Sequence, residues 1–333
     1  MAAELTTVAD DEAVVFVDGA PHRYVGLEPA STQILHGLEV TTLPRPGELL
    51  ATVCTVNDVH FGEKMCGVVE GTDIGPTFTT EPGHEPYPQV MNRGAVAEMA
   101  AVDPAAVVVK GDLTAAGTKE EYEQFCAMYE GAFGDRLHVV RGNHDAYHGE
   151  EFADVPTQEV ALPGVLLAIL DTARPHQING SLSDDQLSWL DELGASADRP
   201  VLVFGHHNMW NPERDVRAES YFGLRPDSAD RLIETFSRRS RLAGYFAGHT
   251  HRNLRQTISA AGRAPFVEVA CVKDFPGAWA EYRVFEGGIL QVFRRISTPD
   301  ALEWSERTRQ MYEGGYAAYS FGRVADRCFM IET

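Results

Sequence analysis

Five short apolar runs in this chain each end in a group of histidine, aspartate or asparagine. Leu50–Val56 leads into Asp58-Val59-His60, and Ala106–Lys110 into Gly111-Asp112. Leu137–Arg141 leads into Gly142-Asn143-His144-Asp145, Val201–Phe204 into Gly205-His206-His207, and Leu242–Ala247 into Gly248-His249-Thr250-His251. Runs this short and this rich in valine read as buried strands. Between them, Met91–Val102, Lys119–Phe133, Ser183–Leu193 and Asp227–Arg238 carry helical patterning. Ser183-Asp184-Asp185-Gln186 has the capping-box pattern of a helix start. Strand alternating with helix restricts the chain to an α/β architecture. Ala264–Val272, Trp279–Phe285 and Ile289–Arg294 add strands near the end, the latter two joined by Glu-Gly-Gly as a hairpin. The expected fold is therefore a two-sheet βαβ sandwich flanked by helices, its sheets mixed and not purely parallel.

The polar groups fall where such sheets bind ligands, just past the carboxyl ends of strands. In an extended segment residues i and i+2 face the same side, so Asp58 and His60 can reach one ion together. His249 and His251 can do the same, or divide between two ions. Carboxylates and imidazoles suit Zn, Mn and Fe, and paired metals cleave phosphate esters. The glycines at 111, 142, 205 and 248 would let backbone approach a bound anion closely. Any one cluster is weak: Gly-Asn-His-Asp alone reads equally well as a tight turn. The ordered set of five is specific, because no packing need places histidine after glycine at the ends of several buried strands.

The order D-x-H, G-D, G-N-H-D, G-H-H, G-H-x-H resembles the calcineurin-like metallophosphoesterase superfamily. The layout is similar to that of class III cyclic nucleotide phosphodiesterases, over roughly residues 48–296. The resemblance implies a four-layer fold and two divalent transition metal ions, Mn, Fe or Zn. It implies that Asp58, His60, Asp112 and His251 hold one ion. Asp112 would bridge to the second, completed by Asn143, His206 and His249. His144 would lie beside the phosphate as proton donor or charge stabiliser, and a hydroxide bridging the metals would be the nucleophile. His207 is read as a packing or supporting residue. Asp145 either orients His144 or closes its turn. Val165–Leu170 is a buried strand ending at Asp171, which reads as structural. Purple acid phosphatases carry a tyrosine three residues after the bridging aspartate and lack the first-motif histidine. Here that position is Ala115 and His60 is present, which argues against that subfamily.

The segment 61–90 is long and turn-rich for a connector. It reads either as a substrate-covering loop, with His84 as a substrate contact, or as a plain surface loop. The first forty-odd residues divide into strand-like pieces, Ala13–Val17, His22–Val25 and Gln33–Thr42. Tyr24–Pro29 is similar to part of a fibronectin type III sandwich, so the segment is either a truncated β-module or a hairpin extending the main sheet. Leu43-Pro-Arg-Pro-Gly47 reads as a rigid linker. The expected division is a β-rich segment over 1–46, a catalytic domain over 47–296 and a helix with a tail over 297–333. The tail, with Ala301–Tyr312 helical, could cap the core, reach over the site or mediate a homodimer.

Twenty-eight basic against 49 acidic residues give a formal net charge of −21. Such a surface is a poor match for nucleic acid or an anionic membrane. The start of the chain lacks the basic-then-apolar pattern of a secretory signal, and no run approaches a membrane span. Five cysteines without C-x-x-C spacing suit a reducing, cytoplasmic compartment. The expected activity is hydrolysis of small-molecule phosphate esters, with diesters such as cyclic nucleotides favoured. The alternatives are a phosphomonoesterase, for which Arg93 and Arg252 would be extra cationic donors, and a binding scaffold without catalysis.

Overall fold

Three valine-rich strands, Leu49–Val56, Ala106–Lys110 and Leu137–Val140, run parallel because a helix returns the chain between each pair. The helices are Tyr87–Ala101 and Lys119–Phe133. A computed structural model describes residues 3–69, 71–213 and 216–333. Residues 1 and 2 of the N-terminal segment and residue 70 of the 61–90 segment lie outside the described residues. The three parallel strands form half of a six-stranded sheet, completed by the antiparallel Ala278–Phe285, Gly288–Arg295 and Phe329–Ile331. A second six-stranded sheet runs Thr157–Leu162, Val165–Leu170, Val201–Phe204, Leu242–Ala247, Pro265–Glu268, Leu254–Thr257. Its four central strands are parallel and its two edges antiparallel.

The sheets pack face to face through Val53, Val108, Leu167, Leu202, Phe204, Phe246 and Tyr282. The first two helices cover the outer face of the first sheet. Asp184–Ser196 and Pro226–Arg238 cover that of the second. The result is the expected four-layer α/β sandwich. Thr118 and Ser183 cap their helices through reciprocal boxes with Glu121 and Gln186. The helix expected from Met91 begins at Tyr87, since Pro88 lies in the first turn, where its missing N–H is not needed. Among the described residues, no helix is long and apolar enough to cross a membrane. All five cysteines are free thiols.

The N-terminal strands join neither large sheet. Glu4–Val8, Glu12–Val17 and Ala20–Val25 make a three-stranded antiparallel sheet, and Thr32–Leu35 with Leu38–Thr41 a hairpin. The single strand expected over 33–42 is broken at His36-Gly37, both at positive φ (48° and 80°). Val8, Val15 and Val40 pack on Ala270, Ala278 and Phe293 of the main body.

A buried charge network fixes this contact. Arg294 bonds Glu12 at 2.6 Å and Glu281 at 2.6 Å, while Arg283 joins Glu281 at 2.7 Å to Asp10 at 2.5 Å. Burial would raise the Glu12 and Glu281 carboxyls, but Arg294 holds both below their ordinary value. Truncating one member of a buried ion pair costs about 3–5 kcal/mol. We expect Arg294→Ala to lower stability by about 3 kcal/mol in urea unfolding at neutral pH, the low end because Arg23 and Arg283 still face the two carboxylates. Carboxyls depressed in the folded state stabilise it above their unfolded pKa and lose that effect as pH falls. The gap between wild type and variant should therefore narrow in acid. A gap that stays constant to low pH would detach the effect from these carboxylates.

Candidate metal centre

The carboxyl ends of the three parallel strands in the first sheet and of two adjacent strands in the second meet at one edge of the sandwich. They deliver Asp58 and His60, Asp112, Asn143 and His144, His206, and His249 and His251 respectively. Backbone bonds lock the loops together: Asp58 N–H to Gly111 O at 3.0 Å, His60 N–H to Asp112 O at 2.8 Å, and Gly248 N–H to His206 O at 3.0 Å. The Asp58 carboxylate accepts the His249 N–H at 3.0 Å.

The extended geometry expected for the D-x-H and H-x-H pairs is not what the chain adopts. Asp58, His60, Asp112, His249 and His251 all have positive φ, from 47° to 67°. That region is uncommon outside glycine and persists where surrounding structure imposes it. Here the interlocked loops impose it. Two of the glycines have a steric role within the centre. A Cβ on Gly142 would stand 2.0 Å from Asp112 Oδ1, and one on Gly111 2.4 Å from the His206 ring. They make room for the polar side chains to crowd one another.

At the middle of the cluster, Asp112 Oδ2 lies 3.4 Å from both His60 Nε2 and His206 Nε2. His251 Nε2 is 3.6 Å from Asp58 Oδ1. Nitrogen and oxygen at this separation are too far apart for a strong hydrogen bond. It is the spacing of neighbouring ligands on one ion bound at about 2.0–2.2 Å. His60 is fully enclosed, yet neither ring nitrogen has a hydrogen-bond partner. An orphaned buried imidazole is costly, and a cation relieves it. The donor set Asp58, His60, His251 and the set Asp58, Asp112, His206 each bring three ligand atoms within 4.8 Å of one another. The residues present thus fit divalent metal.

Outer partners fix which nitrogen each ring offers. His206 Nδ1–H donates to Lys110 O at 2.8 Å, leaving Nε2 facing inward. His249 Nε2–H donates to Phe222 O at 3.1 Å, leaving Nδ1. His207 stands close enough to count among ligands, but its Nε2–H donates to Ile178 O and its Nδ1 bonds Thr172, so no lone pair is left for an ion. Asp145 accepts the N–H groups of Leu113, Thr114 and Gly142. It ties the two loops and does not touch the His144 ring, whose Nδ1–H donates to Ala115 O at 2.7 Å. Asp171 pairs with Arg141 at 2.7 Å, and burial moves its carboxyl up to about 6.

Charge compensation runs through Asp112. Burial would raise its carboxyl, but His206 and His144 hold it well below the carboxylate range. Burial would lower the His206 imidazole, but Asp112 carries it up to about 9. Burial, with His206 adding to it, pushes His249 down to about 3.

His60, Asp112, Asn143, His144, His249 and His251 floor a cavity of about 620 Å³. Met65–Val68, the front of the 61–90 segment, form part of its wall, and Tyr147 and Ile178 another part. His84 is elsewhere. The loop turns at Glu81–His84 and leaves it exposed in a separate hollow of about 340 Å³ beside Glu81, Glu85 and Trp304, so the structure does not support it as a substrate contact. Arg93 pairs with Glu85 and Arg252 with Glu268, and neither lines the cavity. The groups that sequence reasoning missed are Glu63, Lys273, Asp274 and Tyr312. Lys273 Nζ bonds Glu63 at 2.8 Å and Asp274 at 3.1 Å. A Lys-Asp pair directly after the apolar run Val269–Val272 was the available signal.

Residues 51–253 match the family model described as calcineurin-like phosphoesterase. The glycerophosphodiester phosphodiesterase GpdQ of Enterobacter lignolyticus (strain SCF1) is 29% identical over 167 residues, 46% of this chain and 58% of that protein. A probable cyclic nucleotide phosphodiesterase of Rhodopseudomonas palustris is 30% identical over 164 residues, 45% of this chain and 58% of the other. The chain thus spans 58% of the length of these curated relatives. A dimetal phosphatase from Danio rerio superposes with a TM-score of 0.58 over 75% of this chain and 98% of its own, at 16% identity. That likeness is one of fold.

Proposed function

This chain belongs to the calcineurin-like phosphoesterase family, and on that premise we propose that it hydrolyses small-molecule phosphodiesters at a two-metal centre. Asp58, His60, Asp112 and His251 would hold one ion, and Asn143, His206 and His249 the other, with Asp112 shared. Mn, Fe and Zn all suit this donor set. When bound, such ions acidify water and offset charge on phosphoryl oxygens. The chain's own residues do the rest. The interlocked loops fix the donors in place. Ala115 O holds the Nδ1 proton of His144, so in the imidazolium form the Nε2 proton is the one free to pass to the leaving oxygen.

The observation that carries the diester preference is the cation inventory of the cavity. Among the described residues, Lys273 is the one lysine or arginine in its lining, and it already faces two carboxylates. A monoester dianion would find no further lysine or arginine there, whereas a diester carries a single negative charge. The names of the relatives, a glycerophosphodiester phosphodiesterase and cyclic nucleotide phosphodiesterases, support the same reading. The volume admits a substituent on each side of the phosphate. An acidic chain of net charge −21 makes nucleic acid an unfavourable substrate.

The test is hydrolysis of bis-p-nitrophenyl phosphate, p-nitrophenyl phosphate and cyclic AMP by the metal-loaded protein. We expect kcat/KM for the aryl diester to exceed that for the monoester by at least about tenfold, one discrimination step of roughly 1.4 kcal/mol. The reverse order would establish the monoesterase. Inertness toward all three with metals bound would leave a binding scaffold.

A further inference from the structure

We propose that Tyr312 is a specificity-determining residue, whose phenol hydrogen-bonds a hydroxyl on the substituent that stays attached to phosphorus during hydrolysis. This rests on the diesterase reading and names the substrate class more narrowly: a diester with one polyhydroxylated arm. Tyr312 lies far beyond the family match, which ends at residue 253. The C-terminal segment carries it back to the cavity, where its half-buried ring joins the lining beside Lys273 and Asp274.

Three observations converge on it. First, its backbone is forced. Tyr312 and Glu313 are consecutive residues at positive φ, 54° and 57°, a conformation a bulky side chain adopts only where neighbours impose it. The neighbours are the 61–90 segment and Tyr316. Glu313 N–H donates to Gly75 O at 2.6 Å, so the 61–90 segment grips the turn. The Tyr312 ring stands edge-on to Tyr316 at 5.3 Å, and Tyr316 is anchored by its hydroxyl to Asp274 at 2.5 Å. Second, the phenol has no hydrogen-bond partner among the described residues, although tyrosines on such walls ordinarily find one. Third, the surrounding charge selects the ligand. Glu63, Lys273 and Asp274 sum to one net negative charge around this wall. That environment disfavours an anionic phosphoryl oxygen and favours a neutral hydroxyl, which can both donate and accept.

Two esters with one leaving group isolate the effect: p-nitrophenyl glyceryl phosphate and p-nitrophenyl propyl phosphate. They differ only in the two hydroxyls of the retained arm. Wild type should prefer the glyceryl ester. Tyr312→Phe, which keeps the ring and its packing, should cut the glyceryl-to-propyl ratio of kcat/KM by about 3- to 10-fold, the size of one neutral hydrogen bond, with the propyl ester unchanged. Melting temperature should match wild type. An unchanged ratio overturns the proposal. So does an equal fall for both esters, which would put the phenol on the phosphoryl group or in the fold. Wild type hydrolysing both without preference defeats this inference alone. Wild type hydrolysing neither defeats the diesterase reading and this inference with it.

Discussion

Asp112→Ala is expected to leave the protein with fewer than one tightly held ion per chain and to lower turnover of bis-p-nitrophenyl phosphate by at least about a thousandfold. The position explains the size of the effect. Asp112 Oδ2 lies 3.4 Å from both His60 and His206, so one carboxylate stands between the two proposed donor sets. Its other oxygen accepts the His144 N–H at 3.0 Å. Alanine would remove a ligand and a negative charge from both proposed ions, and it frees the loop that carries His144. Loss of several kcal/mol of charge stabilisation is the ordinary consequence of removing a catalytic metal. Asp112→Asn, which keeps the shape, should retain more metal than alanine but far less than wild type. Elemental analysis of the dialysed variants decides the matter. Two ions held as tightly as in wild type would sink the bridging assignment.

Much of this candidate centre was legible in the sequence because each proposed ligand group is local. Asp58-Val59-His60 and Gly248-His249-Thr250-His251 carry their chemistry within a few residues, and an apolar run places each at a strand end. The helices were legible for the same reason. Lys119–Phe133 runs from a capped Thr118 to a glycine, and every signal for it lies within the segment. The conformation of these residues was not legible. Left-handed φ at Asp58, His60, Asp112, His249 and His251 arises from contacts between loops that are far apart in sequence, such as His249 N–H on Asp58. An isolated Asp-x-His gives no hint of it.

The parts that escaped notice share a physical cause. Thr157–Leu162, Leu254–Thr257 and Phe329–Ile331 are edge strands, so their apolar pattern is diluted by one solvated side. The cavity wall is harder still. Met65–Val68 and Tyr312 come from two irregular segments that shape each other: Glu313 bonds Gly75, and a Cβ on Gly67 would meet the Met311 side chain at 3.0 Å. Neither segment has a periodic pattern, and each is held by contacts to the other. His84 is a histidine in the loop that walls the cavity, but residue type does not fix where a long loop carries it. A loop of that length has room to turn away, and it does so at Glu81–His84.

His144→Ala should keep its metals and lose rate by about 10²- to 10⁴-fold on a glycerophosphodiester, the usual range for a general acid. Hydrogen bonding, and not distance, sets this residue apart from the proposed ligands, since its ring comes within 4.8 Å of donor atoms on His60 and Asp112. Its Nδ1–H is committed to Ala115 O at 2.7 Å, its ring stands edge-on to His60 at 4.6 Å, and its Nε2 is the one ring nitrogen without a protein partner. Truncation therefore removes a proton donor and leaves the sets Asp58-His60-His251 and Asp58-Asp112-His206 whole. An alkoxide leaves poorly without a proton, whereas p-nitrophenolate leaves readily. The defect should shrink to less than about tenfold for bis-p-nitrophenyl phosphate, since proton transfer then contributes little to the transition state. Metal analysis must accompany the kinetics, because a variant that lost an ion would lose rate on both esters. Full metal content with an equal loss on both would assign His144 to stabilising charge on the phosphoryl group, and the proton would have to come from elsewhere.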